Sequence, residues 1–302
     1  MISIQKIVNN AYAIGTAIPA FNIPYLPMMA PVVKAVKECD SFALIECARL
    51  EWRKFDAQNL EAVAQEFAST GDIDYVRLHL DHIPVVDEDD QVVDYLPVIQ
   101  RAINTGYHSV MIDGSRLPLE ENLQATQEVV AMAHQVGIPC EAELGAVLGH
   151  EDGPLPPYEE LFSSRKGFTD PEEARFFVNE SGCDWLSVAV GTVHGEISKH
   201  ARKEKKNTAC LDLEHLERLR DATAIPLVLH GGSGIAPEYL FGAFQLGVAK
   251  LNIGTDIRKT YENSMRTTGQ VVAAQEAVYQ RVCWLLRHYY NLAGNHHQIS
   301  LT

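Results

Sequence analysis

The sequence lacks a long apolar run, a pair of closely spaced cysteines and an excess of basic residues, and each gap closes off a class of function. No stretch approaches the roughly eighteen uninterrupted apolar residues that a membrane-crossing helix needs. Lys and Arg number 25 against 40 Asp and Glu, a net charge of −15. That balance argues against binding a nucleic-acid backbone or an anionic membrane surface. The six cysteines (Cys39, Cys47, Cys140, Cys183, Cys210 and Cys283) form no Cys-x-x-Cys pair. They read as reduced thiols of a cytoplasmic protein and exclude a structural zinc cluster built on cysteine. The opening MISIQKIVNNAYAIG has neither the basic start nor the long apolar run of a secretory leader. There is no early Gly-x-Gly-x-x-Gly, no linker rich in Pro, Gly or Ser, and no low-complexity tract.

What is present is a repeating strand–helix pattern in 302 residues, 46% of them hydrophobic. Apolar strand-like runs fall at 17–23, 41–48, 75–81, 108–113, 138–144, 184–190, 225–230 and 248–253. Helix-like segments lie between them, at Pro27–Glu38, Ala57–Thr70, 115–137, 169–182, 212–223 and 236–247. In the fourth of these, Thr169 or Asp170 suits an N-cap, Pro171 the first helical position, and Gly182 the stop. In the third, a proline-led first turn and Gly137 play the same parts. Eight strands alternating with helices predict a (β/α)8 barrel, a TIM barrel, as one domain over 1–302. Beyond Thr255 the pattern is helical to about Tyr290, so 256–302 is expected to add C-terminal helices. The apolar stretch VYQRVCWLLRHYY there suits packing on the barrel or on a second subunit. The irregular, Gly- and Pro-rich 146–168 is long enough to suggest a functional loop.

The active site of such a barrel lies at the C-terminal ends of its strands. Read in order, those ends carry Asn22, Glu46, Asp81–His82, Asp113, Glu141/Glu143, GTVHG at 191–195, HGGSG at 230–234 and NIGTD at 252–256. His82, His194 and His230 each follow an apolar strand. Converging at the barrel mouth, they would form a three-histidine metal site with an open position. Otherwise each is a hydrogen-bonded structural histidine. His79 falls elsewhere in the strand alternation and reads as structural, and the other histidines, His296 and His297 among them, have no comparable setting. HGGSG and NIGTD follow the last two strands, where barrels often hold phosphate on glycine backbone amides, with Ser233 and Thr255 as further donors. An acidic chain needs local positive potential to do this. A metal, Lys199, Arg116 and Arg258 are the candidates, whereas the basic run at 201–206 reads as a solvated face.

HLDH, VMIDGSRLPLEEN, EAELG, HEDG, FTDPEEA, VAVGTVHGE, HGGSG and NIGTD occur in an order and spacing that resemble the class II, metal-dependent ketose-bisphosphate aldolases, closest to the fructose- and tagatose-bisphosphate branch. The likeness runs from about Ala20 to Arg258. It implies His82, His194 and His230 as zinc ligands and Asp81 as the acid/base beside the metal. It implies that Glu143 and Asp113 line a second metal position or order the site, with room for a second or a monovalent cation. Glu151 of HEDG matches the glutamate that moves the triose proton. Gly195, Lys199, Gly231, Ser233 and Thr255 match the phosphate cradle, Asn252 the residue that contacts the bound triose, and Asn22 is a further substrate-side candidate. The implied reaction is reversible cleavage of a ketose (bis)phosphate to dihydroxyacetone phosphate and an aldehyde through a zinc-stabilised enediolate, with no Schiff-base lysine. Such an enzyme is expected to be a cytoplasmic homodimer or homotetramer acting on a phosphosugar.

Four positions depart from the family pattern. Ile83 stands where glycine usually follows HLDH, and Glu46-Cys47-Ala48 replaces a Gln-x-Ser motif. Arg116 replaces a histidine after the DGS turn, and Ile197 replaces a tyrosine. The metal and phosphate parts are intact, so the departures bear on the aldehyde half: its phosphate and its stereochemistry. A phosphosugar isomerase or epimerase using the same chemistry, or a non-catalytic barrel subunit, are the alternative readings.

Overall fold

The computed structural model describes residues 2–145, 162–191 and 210–300. Its centre is a closed barrel of eight parallel strands in sequence order, each paired with the next and the last with the first. The strands are β1 (Ile18–Asn22), β2 (Ala43–Ala48), β3 (Val76–Pro84), β4 (Ser109–Asp113), β5 (Cys140–Leu144), β6 (Trp185–Val188), β7 (Leu227–Leu229) and β8 (Val248–Ile253). All eight expected strands are therefore present, and the fold is the expected (β/α)8 barrel.

One strand differs in a way that matters. The apolar run ends at Leu80, but β3 continues through Asp81 and His82 to Pro84. Its pairing with β4 shifts register between Leu80 and Ile83, and His82 takes a positive φ of 28°. A bulge of this kind re-aims a side chain within a strand. Here it turns the His82 imidazole toward its neighbours across the barrel mouth.

The helices are α1 (Ile4–Ile14), α2 (Met29–Glu38), α3 (Arg49–Lys54), α4 (Leu60–Thr70), α5 (Tyr95–Thr105), α6 (Leu119–Gln135), α7 (Pro171–Ser181), α8 (Leu213–Thr223), α9 (Pro237–Gln245), α10 (Thr255–Thr268), α11 (Val271–Trp284) and α12 (His296–Ser300). Local chemistry sets their ends. Asp170, not Thr169, caps α7 by accepting from the Glu172 and Glu173 amides. Thr169 is instead buried, its hydroxyl donating to the Leu144 carbonyl and accepting from the Ala189 amide. Asn59 accepts from the Ala62 amide and starts α4 at Leu60, three residues later than the sequence suggests. Pro118 sits at the N-cap of α6 with φ −54°, so the helix begins at Leu119.

Two apolar clusters sandwich the barrel wall. Alternate strand residues, including Phe21, Ile45, Leu78, Leu186 and Leu251, pack against the surrounding helices. Their counterparts Ile18, Leu44, Trp185 and Val228 join Ile4, Ile7, Val8 and Ala11 of α1 and Ile299 of α12. Helix α1 thus closes the end of the barrel where the strands begin, and the interior grows polar toward the other end. The C-terminal stretch 278–290 is accounted for within the chain: Val278, Val282, Cys283, Leu285 and Leu286 are buried in the main core. These side chains pack on the barrel, while Trp284 of the same stretch stays partly exposed. No described helix is long and apolar enough to cross a membrane.

Candidate active site

The upper interior of the barrel collects the strand-end residues around His82 and His230. His82 Nε2 and His230 Nδ1 point at each other 2.5 Å apart, with the ring centroids 4.3 Å apart. The outer nitrogen of each ring meets a carboxylate. His82 Nδ1 lies 3.0 Å from Asp113 Oδ2 and 3.8 Å from Glu143 Oε2, and His230 Nε2 lies 3.0 Å from Glu141 Oε1. Those carboxylates hold the outer nitrogens as N–H donors, so the inner nitrogens present lone pairs. Two lone pairs this close repel unless a proton lies between them, and the two rings must part to about 3.3 Å to share a metal ion. Carboxylate–imidazole pairs behind the facing nitrogens are the usual support of a metal-binding histidine. The donor set therefore fits a divalent ion. Asp81, His82 and His230 form one group with ligand atoms close enough for a single ion, and His82, Asp113 and Glu143 form a second.

Asp81 lies beside this pair in a setting that keeps it ionised. Asn22 donates to Oδ2 at 2.9 Å and Asn252 to Oδ1 at 3.0 Å. Burial raises the carboxyl, but the charges of His82 and Lys250 outweigh it and hold Asp81 well below the carboxylate range. Burial lowers His82, and Asp81, Asp113 and Glu143 reverse that, so without a metal this ring carries a proton. His230, lowered by burial and by the charge of His82, stays neutral. Glu143 is pushed up by burial and by Asp113. Its backbone is fixed from outside, where Asn122 of α6 donates to the Glu143 carbonyl at 2.9 Å. Asn122 also explains Gly114 of the DGS turn: a Cβ there would lie 2.2 Å from Asn122 Oδ1.

Below the mouth lies a layer the sequence reading undervalued. Lys250 is fully buried, 2.9 Å from Glu141, 3.3 Å from Glu46 and 4.0 Å from Asp81, and it donates to Asn252 Oδ1 at 2.7 Å. It thereby braces Glu141 behind His230 and Asn252 beside Asp81. The neighbouring acids hold its pKa up despite burial. His79 belongs to the same layer: it bonds Ser109 Oγ at 2.8 Å and approaches Glu141 at 3.5 Å. It lies within the interior network, and its ligand atoms group with those of Glu46 and Asp81. Glu46 is driven well up by burial and then by Asp81, which favours its neutral form.

The glycine turns follow the last two strands. Gly231 has φ +72°, and Gly232 approaches the backbone of β8 so closely that a Cβ would lie 2.7 Å from the Asn252 carbonyl oxygen. Ser233 Oγ accepts from the Asp256 amide at 3.3 Å, joining the β7 turn to the start of α10, whose first residue is Thr255. The C-terminal segment props this turn: Tyr290 donates to the Gly232 carbonyl at 3.0 Å and Tyr289 to the Ile235 carbonyl at 2.7 Å. Those tyrosines lie more than fifty residues from the turn in sequence, with no local motif to announce them.

Two expected phosphate cations are placed differently. The Arg116 guanidinium bonds the Asp87 carbonyl and Asp90, and Arg258 bonds both carboxylate oxygens of Glu262 at 3.0 and 3.1 Å. Each is matched by an acid, so neither supplies unbalanced positive potential. Arg116, Arg49 and Lys54 instead pin the acidic segment after β3, through Asp90, Asp87 and Glu88. Glu151, His194, Gly195, Ile197 and Lys199 lie outside the described residues.

The sequence model described as Fructose-bisphosphate aldolase class-II matches residues 2–295. Among solved structures, the YdjI aldolase from Escherichia coli K12 is 27% identical, with 97% of this chain and 99% of that chain covered and a TM-score of 0.75. A fructose-bisphosphate aldolase from Campylobacter jejuni is 22% identical over 97% of this chain and 96% of that chain, with a TM-score of 0.71, a likeness of fold.

Proposed function

As a member of the class II fructose-bisphosphate aldolase family the chain is a metal-dependent aldolase, and we propose that it uses zinc to split a ketose phosphate reversibly into dihydroxyacetone phosphate and an aldehyde. The observation that carries this reading is Asp81, held by two asparagine amides, beside two carboxylate-backed imidazoles that face each other across the barrel mouth. His82 and His230 would hold the zinc together with His194, and Asp113 and Glu141 would orient the two rings. Bound there, zinc acts as a Lewis acid for the negative charge that develops on the ketone oxygen during cleavage.

The remaining steps fall to the chain's own residues. Asp81, held by Asn22 and Asn252, takes the proton of the C4 hydroxyl as the C3–C4 bond breaks, and returns it in the reverse direction. Glu151 delivers a proton to the triose carbon that loses its bond. Asn252 bridges the base and the substrate, with Lys250 fixing its amide. Gly231, Ser233 and Thr255, with Gly195 and Lys199, bind the triose phosphate, largely through backbone amides because Arg258 is matched by Glu262. Glu143 orders the metal face and offers a second cation position with Asp113.

The test is triose phosphate release from a panel of ketose mono- and bisphosphates. Cleavage is expected to disappear on chelation, to return with zinc, and to resist borohydride in the presence of substrate. Inactivation by borohydride, or proton exchange without carbon–carbon cleavage, would overturn the proposal.

A further inference from the structure

At the opposite end of the barrel from the catalytic mouth lies a further group of metal-capable side chains: Asp40, His296 and His297, whose ligand atoms all fall within 4.8 Å of one another. Asp40 sits in the turn between α2 and β2. The two histidines open α12, the short helix that packs beside α1 where the strands begin.

The state of His296 is set by its surroundings. Its side chain is 9% exposed and its ring stacks on Tyr75, with centroids 4.3 Å apart and planes 19° apart. Nε2 lies 2.8 Å from the Asp74 carbonyl oxygen, which can only accept, so Nε2 carries the hydrogen. In the neutral ring Nδ1 is then a bare lone pair. That atom is buried, has no hydrogen-bond partner, and faces Asp40 Oδ1 across 3.7 Å. A lone pair and a carboxylate oxygen are both acceptors, and the gap is too long for a hydrogen bond. It is the separation two ligands adopt on one divalent ion, each about 2.0–2.2 Å from it. The ring's other nitrogen is bound to a backbone carbonyl, the support that metal-ligating histidines generally have.

The backbone around the group is fixed before any ion arrives. The His296 amide donates to the Asp40 carbonyl at 3.1 Å and the Gly294 amide to the Cys39 carbonyl at 2.9 Å. Asn295 accepts from Ser41 Oγ at 3.2 Å and the Phe42 amide at 3.3 Å. Nearby, Lys37 is bound to Asp72 at 2.6 Å. His297, at the surface, stands at right-angled approach to His296 with ring centroids 5.4 Å apart.

We propose that Asp40, His296 and His297 form a second, structural metal site that clamps the C-terminal segment onto the strand-entry end of the barrel. Two imidazoles and one carboxylate suit zinc or a similar borderline divalent ion, not calcium or magnesium, which prefer all-oxygen shells. Water from the exposed side completes the coordination. The site is independent of the aldolase chemistry.

Two variants test it with the metal-loaded enzyme. His297→Ala removes an exposed ligand without opening the core. Asp40→Asn keeps a residue that tolerates the positive φ of 47° found there. Titrated with zinc, the wild-type enzyme is expected to take up one more equivalent than either variant, or to bind that equivalent at least about tenfold more tightly. Its melting temperature is expected to rise with added zinc, as binding to the folded state requires, while those of the variants do not, and all three keep the same kcat once loaded. Equal zinc stoichiometry and equal thermal response in the three proteins would overturn the site.

Discussion

Replacing Asp81 with asparagine is expected to lower kcat by about 10²- to 10⁴-fold, the usual worth of a positioned general base, with KM little changed. The substitution keeps the shape and removes the charge. In the wild-type protein both oxygens of Asp81 accept amide N–H groups, from Asn22 and Asn252. An amide at position 81 turns one of these contacts into donor against donor. Asn22, the less buried of the pair, can rotate its side chain to relieve it. The ring pair and its supporting carboxylates are untouched by that change, so zinc content should remain at the wild-type level. Steady-state kinetics with metal analysis on the same sample checks both halves. An Asp81→Asn enzyme with near wild-type kcat would remove Asp81 from the chemistry.

His230→Ala is expected to abolish activity by a different route, through loss of the metal. His230 supplies one of the two facing nitrogens and is the ring through which Glu141 would support the ion. Loss of a supporting carboxylate alone typically weakens metal binding about 10- to 100-fold, so loss of the ligand itself should exceed that. The variant should elute with little zinc and show cleavage no higher than chelated wild-type enzyme. Folding should survive, because Glu141 keeps Lys250 at 2.9 Å as its counter-charge. A His230→Ala protein with full zinc and near-normal turnover would contradict the proposed ligand set.

Much of this was legible in the sequence because almost every apolar run carries a polar group at or just past its end. The eight apolar runs give the eight barrel strands, and Asp81, His82, Asp113 and His230 stand together as their positions imply. Other features were hidden for physical reasons. Helix α5, which is not among the helix-like segments read from the sequence, carries Pro97 in its first turn, where a missing N–H costs nothing. The β3 bulge depends on pairing with β4, which no local pattern reports. Lys250 reads as an interruption of an apolar strand, and only the closed barrel brings Glu46 and Glu141 to it from strands distant in sequence. Arg116 and Arg258 looked available for phosphate because their acidic partners, Asp90 and Glu262, carry no motif. His296 and His297 had no strand end to mark them; their partner Asp40 is more than 250 residues away.

The most direct measurement is anomalous diffraction at the zinc edge from crystals of the metal-replete enzyme. The account predicts a peak between His82 Nε2 and His230 Nδ1, about 2.0–2.1 Å from each, with Asp113 and Glu141 still bound to the outer nitrogens. Rings turned away from each other with no ion between them in zinc-saturated protein would contradict it.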